Sequence, residues 1–221
     1  MPQAGTKIVI VGGSFGGVNA AYALRRKLGR SAEITVIAKD QEFLFTPSLP
    51  WVIMGWRDPA RIQVPLAEPL ARRGIRFVHA AVEELDAAKG TVRTANTRFP
   101  YDHLVISAGA ELDYAAVPGL GPAGGFTRST FTVSEAVGAR DALARALAAE
   151  RGRIVIGAAP GVSCIADAGD TAYYFSADPF LPPRNKVAHK KGKWAHYLKL
   201  AFEKYYLARI RHDWPSVHFG W

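Results

Sequence analysis

Ile8-Val9-Ile10-Val11-Gly12-Gly13-Ser14-Phe15-Gly16-Gly17 is the stretch that decides the fold of this chain. Its four apolar residues, all β-branched, read as a short strand buried on both faces, as in a parallel sheet. The residues over 12–17 predict a turn. Val18 to Leu28, rich in Ala and Leu, predicts a helix; Arg25, Arg26 and Lys27 occupy its last turn and Gly29 is placed to cap it. Glu33 to Ala38 then reads as a second strand. A strand, a glycine turn and a helix make an anion cradle, because the free N–H groups of the helix face the ligand and small residues let it approach. Gly12 and Gly17 take the outer positions of a G-x-G-x-x-G pattern, and Ser14 stands at the middle one, where a small hydroxyl residue still admits a phosphate. Gly12, Ser14, Phe15, Gly16 and Gly17 are therefore candidate ligands for the pyrophosphate of a dinucleotide.

Working outward, an acid is expected at the end of the second strand, where it would bind a ribose hydroxyl. Ala38 stands there, followed by Lys39 and Asp40. Lys39 is kept as a candidate cofactor contact; Asp40 either substitutes for the acid or forms a solvated surface pair with it. A further strand, Tyr101 to Ser107, runs into Ser107-Ala108-Gly109, small residues that bring backbone close to a dinucleotide without obstruction. Between these lie a Pro- and Trp-rich excursion from Gln41, and short strands around Ile75 to His79 and Thr91 to Phe99. Ser134 to Glu150 predicts a helix with Ser134 as its N-cap. Arg153 to Ile156 begins another buried strand, ending in a Gly157–Gly161 turn, but the crossover helix and next strand that such a unit requires do not follow.

The chain has 221 residues and is 49% hydrophobic, enough for a real core and unlike a disordered protein. The sequence is expected to carry no N-terminal signal, and no apolar run reaches the roughly 20 residues a bilayer span needs, so a soluble or membrane-surface protein is expected. Its single cysteine, Cys164, excludes an intrachain disulfide. The net charge of +9 is concentrated: between Arg184 and His212 nine Lys and Arg face one acid, Glu203. From about Lys193 to Arg211 these fall on a predicted helix, with Trp194, Tyr197, Leu198, Ala201, Phe202 and Tyr205 along one face. Aromatic and basic side chains together suit a bilayer interface, or the aromatic face packs on the protein itself. The chain carries no recognised nucleic-acid module, so nucleic acid is not expected as a partner. His79, His103 and His189 lack metal-ligand spacing, and no metal is expected.

Ser107-Ala108-Gly109 resembles the short Ala-Thr-Gly segment of flavoproteins with two dinucleotide folds, which favours FAD in the first of them. Phe43-Leu-Phe-Thr-Pro47-Ser48-Leu-Pro-Trp51 and Gly55-Trp56-Arg57 resemble the flavin-proximal segment of the sulfide:quinone oxidoreductases, of which type II NADH dehydrogenases carry a looser version. Gly157 to Cys164 is similar to a segment bearing one of that family's redox cysteines. Ile165 to Asp170, Pro182-Pro-Arg184, Gly192-Lys-Trp194-Ala-His196 and Phe202-Glu-Lys-Tyr205 are similar to its C-terminal region. The family is about twice as long, so a central block is missing near Cys164, with the rest of the second dinucleotide fold and a further redox cysteine; either flank supplied Cys164. Ala166 to Asp170 looks like a ribityl-binding Gly-Asp motif but matches the downstream C-terminal region instead.

The resemblance implies an α/β fold: an FAD-binding Rossmann-type domain with a parallel sheet, an incomplete second dinucleotide fold, and a basic amphipathic C-terminal helical tail. Residues 1–161 would form the first part and 162–221 a quinone- and membrane-associated region. It implies an FAD-dependent oxidoreductase passing electrons from sulfide through flavin to a membrane quinone. Ala108 and Gly109 would line the dinucleotide, Pro47 would approach the flavin ring, and Cys164 would carry sulfur. The alternatives are a catalytically inactive flavin- or membrane-binding remnant and, more weakly, an NADH:quinone reductase. The expected location is the cytoplasmic face of the inner membrane, or the cytoplasm; homo-oligomerisation is left open.

Overall fold

The strand β1 (Thr6–Val11) forms where the β-branched run predicts it, and its side chains are buried on both faces. A computed structural model describes residues 5–124 and 127–149; the expected strand at 153–156, the Gly157–Cys164 segment and the basic tail lie outside the described residues. The helix α1 (Phe15–Leu28) begins three residues earlier than the sequence predicts, so the turn is shorter and Gly16 and Gly17 belong to the helix. Gly29 caps it with φ 58°, its N–H donating to the Arg25 carbonyl at 3.0 Å. The second strand, β2 (Ala32–Ala38), pairs parallel with β1, Ile8 opposite Ile34 and Val11 opposite Ile37.

The chain then makes a short antiparallel pair, β3 (Glu42–Leu44) with β4 (Gln63–Pro65), around the helix α2 (Leu49–Ile53). The helix α3 (Ala67–Arg72) leads to β5 (Arg76–His79), which pairs parallel with β2. The stretch read as one strand over 91–99 is instead part of a three-stranded antiparallel meander: β6 (Val82–Asp86), β7 (Thr91–Thr94) and β8 (Arg98–Pro100). Polar residues in β6 hid it, because only one face of an antiparallel strand needs to be apolar. Finally β9 (His103–Ile106) joins β1 on the side away from β2, giving the parallel order β5-β2-β1-β9. Lys7 and Asp102 exchange bonds at its start: the Lys7 N–H donates to Asp102 Oδ2 at 2.7 Å, and the Asp102 N–H to the Lys7 carbonyl at 2.9 Å.

Alternation along β1 and β2 feeds two cores. Ile8, Ile10, Ile34 and Val36 face α1 and α3, packing with Ala21, Leu66 and Leu70. Val9, Val11 and Ile37 face the meander, packing with Val92 and Phe99. Each side chain fully buried in this way is worth roughly 1.5–3 kcal/mol. A third cluster joins Leu49, Val52 and Ile53 of α2 to Ala136 of α4 (Val133–Ala148). Thr132, not Ser134, caps α4: its hydroxyl accepts from the Glu135 N–H at 3.2 Å. Glu135 in turn accepts from the Ser129 N–H at 3.1 Å. Among the described residues no helix is long and apolar enough to cross a membrane.

Candidate functional site

The strand order reverses at β1: the chain leaves it toward β2 and returns beside it as β9. In an open parallel sheet the crevice beyond the carboxyl ends of such strands is where ligands bind. Gly12, directly after β1, has φ 115°, a conformation that side chains disfavour, and its N–H donates to the Ile37 carbonyl at 2.9 Å. A Cβ on Gly12 would strike the Ser107 carbonyl; one on Gly16, the Ser107 hydroxyl; one on Gly17, the Gly12 carbonyl. On Gly13 it would lie 2.7 Å from Leu66 Cδ1 and 2.8 Å from the Ala38 Cβ. The glycines are thus required by three strand ends converging on one loop, and Ser107 fixes two of them from the far side of the crevice. The Ser107 N–H, donating to the Val11 carbonyl at 2.7 Å, continues the β1–β9 ladder into the loop.

Ser14 is the N-cap of α1, with extended backbone and no side-chain capping bond. The Val18 N–H donates to the Ser14 carbonyl at 3.0 Å. The amides of Phe15, Gly16 and Gly17 come before that first intrahelical bond, at the partly positive end of the helix, and no acid stands in the first turn. Gly16 and Ser14 are exposed beside them. This loop, packed so closely that a Cβ at any of four positions would strike protein atoms, leaves N–H groups at the helix start that fit a dinucleotide pyrophosphate. Phe15 contributes its amide, while its ring packs on Phe43 at 4.9 Å between centroids and on Phe45 at 5.7 Å.

Ala108 and Gly109 follow Ser107 on the exposed rim, Gly109 at φ 81° with open space around it. At the other end of the crevice, Ala38 occupies the expected position of the acid with its Cβ against Gly13, and Lys39 and Asp40 are exposed. His79 Nε2 lies 2.9 Å from the Lys39 carbonyl and His79 Nδ1 lies 3.1 Å from Gln41 Nε2, so this histidine fastens the turn after β2. Pro47 is exposed in the 3-10 turn Thr46–Ser48, directly after the two rings that Phe15 touches. Ser48 beside it is buried, and its hydroxyl accepts from Arg57 Nη1 at 3.1 Å. Burial, then the neighbouring Arg61, lowers the Arg57 pKa from its ordinary value. In the sequence Arg57 and Ser48 stand out only within a resemblance, and Ser107 only as one of three small residues at a strand end. Cys164 lies outside the described residues. Among the described residues no cluster of His, Cys, Asp and Glu could hold a metal.

Fold and site together define an α/β dinucleotide-binding protein. It belongs to the pyridine nucleotide-disulphide oxidoreductases, whose sequence profile matches residues 6–167. The chain is similar to the sulfide-quinone reductase of Aquifex aeolicus, 38% identical over 166 residues, which are 75% of this chain and 37% of that protein. The crystal structure of the Aquifex aeolicus sulfide:quinone oxidoreductase superposes with TM-score 0.70 and 36% identity, over 77% of this chain and 39% of that one. A type II NADH:quinone oxidoreductase of Mycobacterium tuberculosis is 35% identical over 114 residues, 49% of this chain and 23% of that protein. The chain thus spans under two fifths of the length of these relatives.

Proposed function

We propose that the chain binds FAD and serves electron transfer from sulfide to a quinone. The observation that carries this is the glycine cradle at the β1–β9 switch point, lined by Gly12, Ser14, Phe15, Gly16 and Gly17. The amides at the start of α1 would hold the pyrophosphate, and Ala108 and Gly109 would give the backbone close access to the dinucleotide. Lys39 would lie at the ribose end and Pro47 at the ring end. FAD, when bound, supplies the two-electron carrier between a reduced sulfur donor and a quinone acceptor. Similarity to the Aquifex enzyme over 166 residues supports sulfide as donor and quinone as acceptor. Cys164 would carry the sulfur, as a thiolate, which is the nucleophilic form of cysteine. The basic aromatic tail would hold the chain at the membrane surface on the cytoplasmic side, where a quinone is reached.

The shorter match to the Mycobacterium enzyme supports a second reading, with NADH as donor. One experiment separates the two: a visible absorption spectrum of the purified chain before and after anaerobic sulfide, then NADH. A flavin band that sulfide bleaches supports the first reading, and bleaching by NADH alone supports the second. A colourless protein that takes up no added FAD overturns both.

A further inference from the structure

We propose that Arg57 is a positioning residue of this site, acting through Ser48 to set the turn that presents Pro47 to the dinucleotide. The inference rests on the FAD reading above. Ser48 is fully buried, and its hydroxyl accepts from Arg57 Nη1 at 3.1 Å. The same guanidinium lies 4.2 Å from the centroid of the Trp51 ring, on the helix α2 that starts directly after the turn. One side chain therefore ties the turn to the element that follows it.

The backbone brings Arg57 back to this place. The N–H groups of Trp56 and Arg57 both donate to the Trp51 carbonyl, at 2.9 and 3.2 Å, closing the loop after α2. Gly55 makes the reversal with φ 71°. Among the described residues no carboxylate forms an ion pair with Arg57. Its neighbour Asp58 is engaged elsewhere, accepting from the Ala60 N–H at 2.7 Å. Burial, and then the neighbouring cation of Arg61, disfavours the charged form of Arg57.

A half-buried cation with no counter-ion among the described residues is costly, and a neutral side chain of similar length would fill the same space without that cost. What the guanidinium adds is a directed donor to Ser48 and a flat cation over Trp51. Both contacts hold the base of the turn, whose outer residues Thr46 and Pro47 are exposed. The chain of contacts runs from the phosphate loop through Phe15 to Phe43 and Phe45, then through the turn to Ser48 and Arg57.

The test uses the full chain and the variants Arg57→Gln, Arg57→Lys, Ser48→Ala and the Arg57→Gln/Ser48→Ala double. FAD affinity is read by flavin fluorescence, the environment of the ring by the visible band of bound FAD, and the turn by amide hydrogen exchange over residues 44–52 in flavin-free protein. Each single variant, Arg57→Gln and Ser48→Ala, is expected to weaken FAD binding about tenfold, the effect of losing one charge-assisted hydrogen bond. Both should shift the visible band and speed exchange at the turn while leaving β1 protected. The double should be no worse than either single, and Arg57→Lys should recover most of the loss. Wild-type affinity in Ser48→Ala, or losses that add in the double, would overturn the proposal. If the chain takes up no FAD in any form, the FAD reading fails. Exchange then decides alone: faster turn exchange in both singles sustains the clamp, and unchanged exchange removes it.

Discussion

The two ends of the crevice are built on opposite principles. At the phosphate end, Gly12, Gly13, Gly16 and Gly17 work by having no side chains: the Ser107 carbonyl and hydroxyl, the Gly12 carbonyl and the Ala38 Cβ already occupy the space. At the turn carrying Pro47, the proposed ring end, side chains make the structure: Phe15 on Phe43 and Phe45, and Arg57 on Ser48 and Trp51. At Gly12 and Gly17 the obstacle is backbone, which cannot yield without disturbing the loop and the β1–β9 pairing; at Gly13 and Gly16 it is a side chain. Side chains can repack, so losses there are graded. Mutations at Gly12 and Gly17 should accordingly behave as nearly all-or-none, and those at Gly16 and around the Pro47 turn as increments.

The largest effect is expected at Gly12. Gly12→Ala adds a methyl where the Ser107 carbonyl lies, at a φ of 115°. Left-handed strain and overpacking together cost about 3 kcal/mol or more. Urea denaturation should show a chain that is unfolded or barely folded and retains no FAD; a variant as stable as the parent would break the comparison outright.

Gly16→Ala sharpens it. The obstacle there is the Ser107 hydroxyl, with the Ser107 Cβ at 3.5 Å. A loss of about 1–3 kcal/mol is expected from the overpacking. Gly16→Ala combined with Ser107→Ala should regain most of it, because the colliding atom is gone. If the double variant is no more stable than Gly16→Ala, the hydroxyl is not what excludes a side chain.

At the ring end, a double-mutant cycle between Phe15→Leu and Phe43→Leu should report a coupling of about 0.5–1.5 kcal/mol, the value of an edge-to-face aromatic pair. Thermal unfolding of the two singles and the double supplies the number. A coupling indistinguishable from zero would mean that the phosphate loop and the turn at Pro47 are held independently.

The smallest effect lies outside both ends, on the meander, and serves as their control. Arg93 Nε donates to Glu84 at 2.8 Å, and this bond, followed by the charge of Arg93, holds the Glu84 carboxyl below its ordinary range. A carboxylate whose folded pKa is depressed stabilises the fold above its unfolded pKa, and that contribution is lost as pH falls through the folded value. Glu84→Gln should therefore flatten slightly the acid limb of a stability-against-pH curve measured at low salt, and added salt should shrink the difference. FAD affinity should not change.

How much of this was legible in the sequence differs between the two ends for the same physical reason. The glycine loop is local: ten consecutive residues specify a strand and the glycine turn after it, since a buried parallel strand needs an apolar run and a tight approach needs small residues. The helix start at Phe15, rather than at Val18, was not legible, because glycine disfavours helices by propensity and the close approach of Gly17 to Gly12 and Ile10 exists only in the folded chain. Ser134 likewise looked like a cap, yet Thr132 is where the backbone enters the helix, and its hydroxyl accepts from the Glu135 N–H while the Glu135 carboxylate accepts from the Ser129 N–H further upstream.

By itself, then, the sequence determined a β-α-β unit with an anion cradle, a second small-residue strand end at Ser107-Ala108-Gly109, and the resemblance that points to flavin and sulfide chemistry. Only the tertiary structure decided which atoms fill the space each glycine vacates, that a meander covers the sheet's second face, and that Arg57 reaches back to Ser48. Spacing along a chain encodes local geometry. The contact between Ser107 and Gly12 exists only once β9 has paired with β1, Val11 opposite Ile106, across a long separation in sequence.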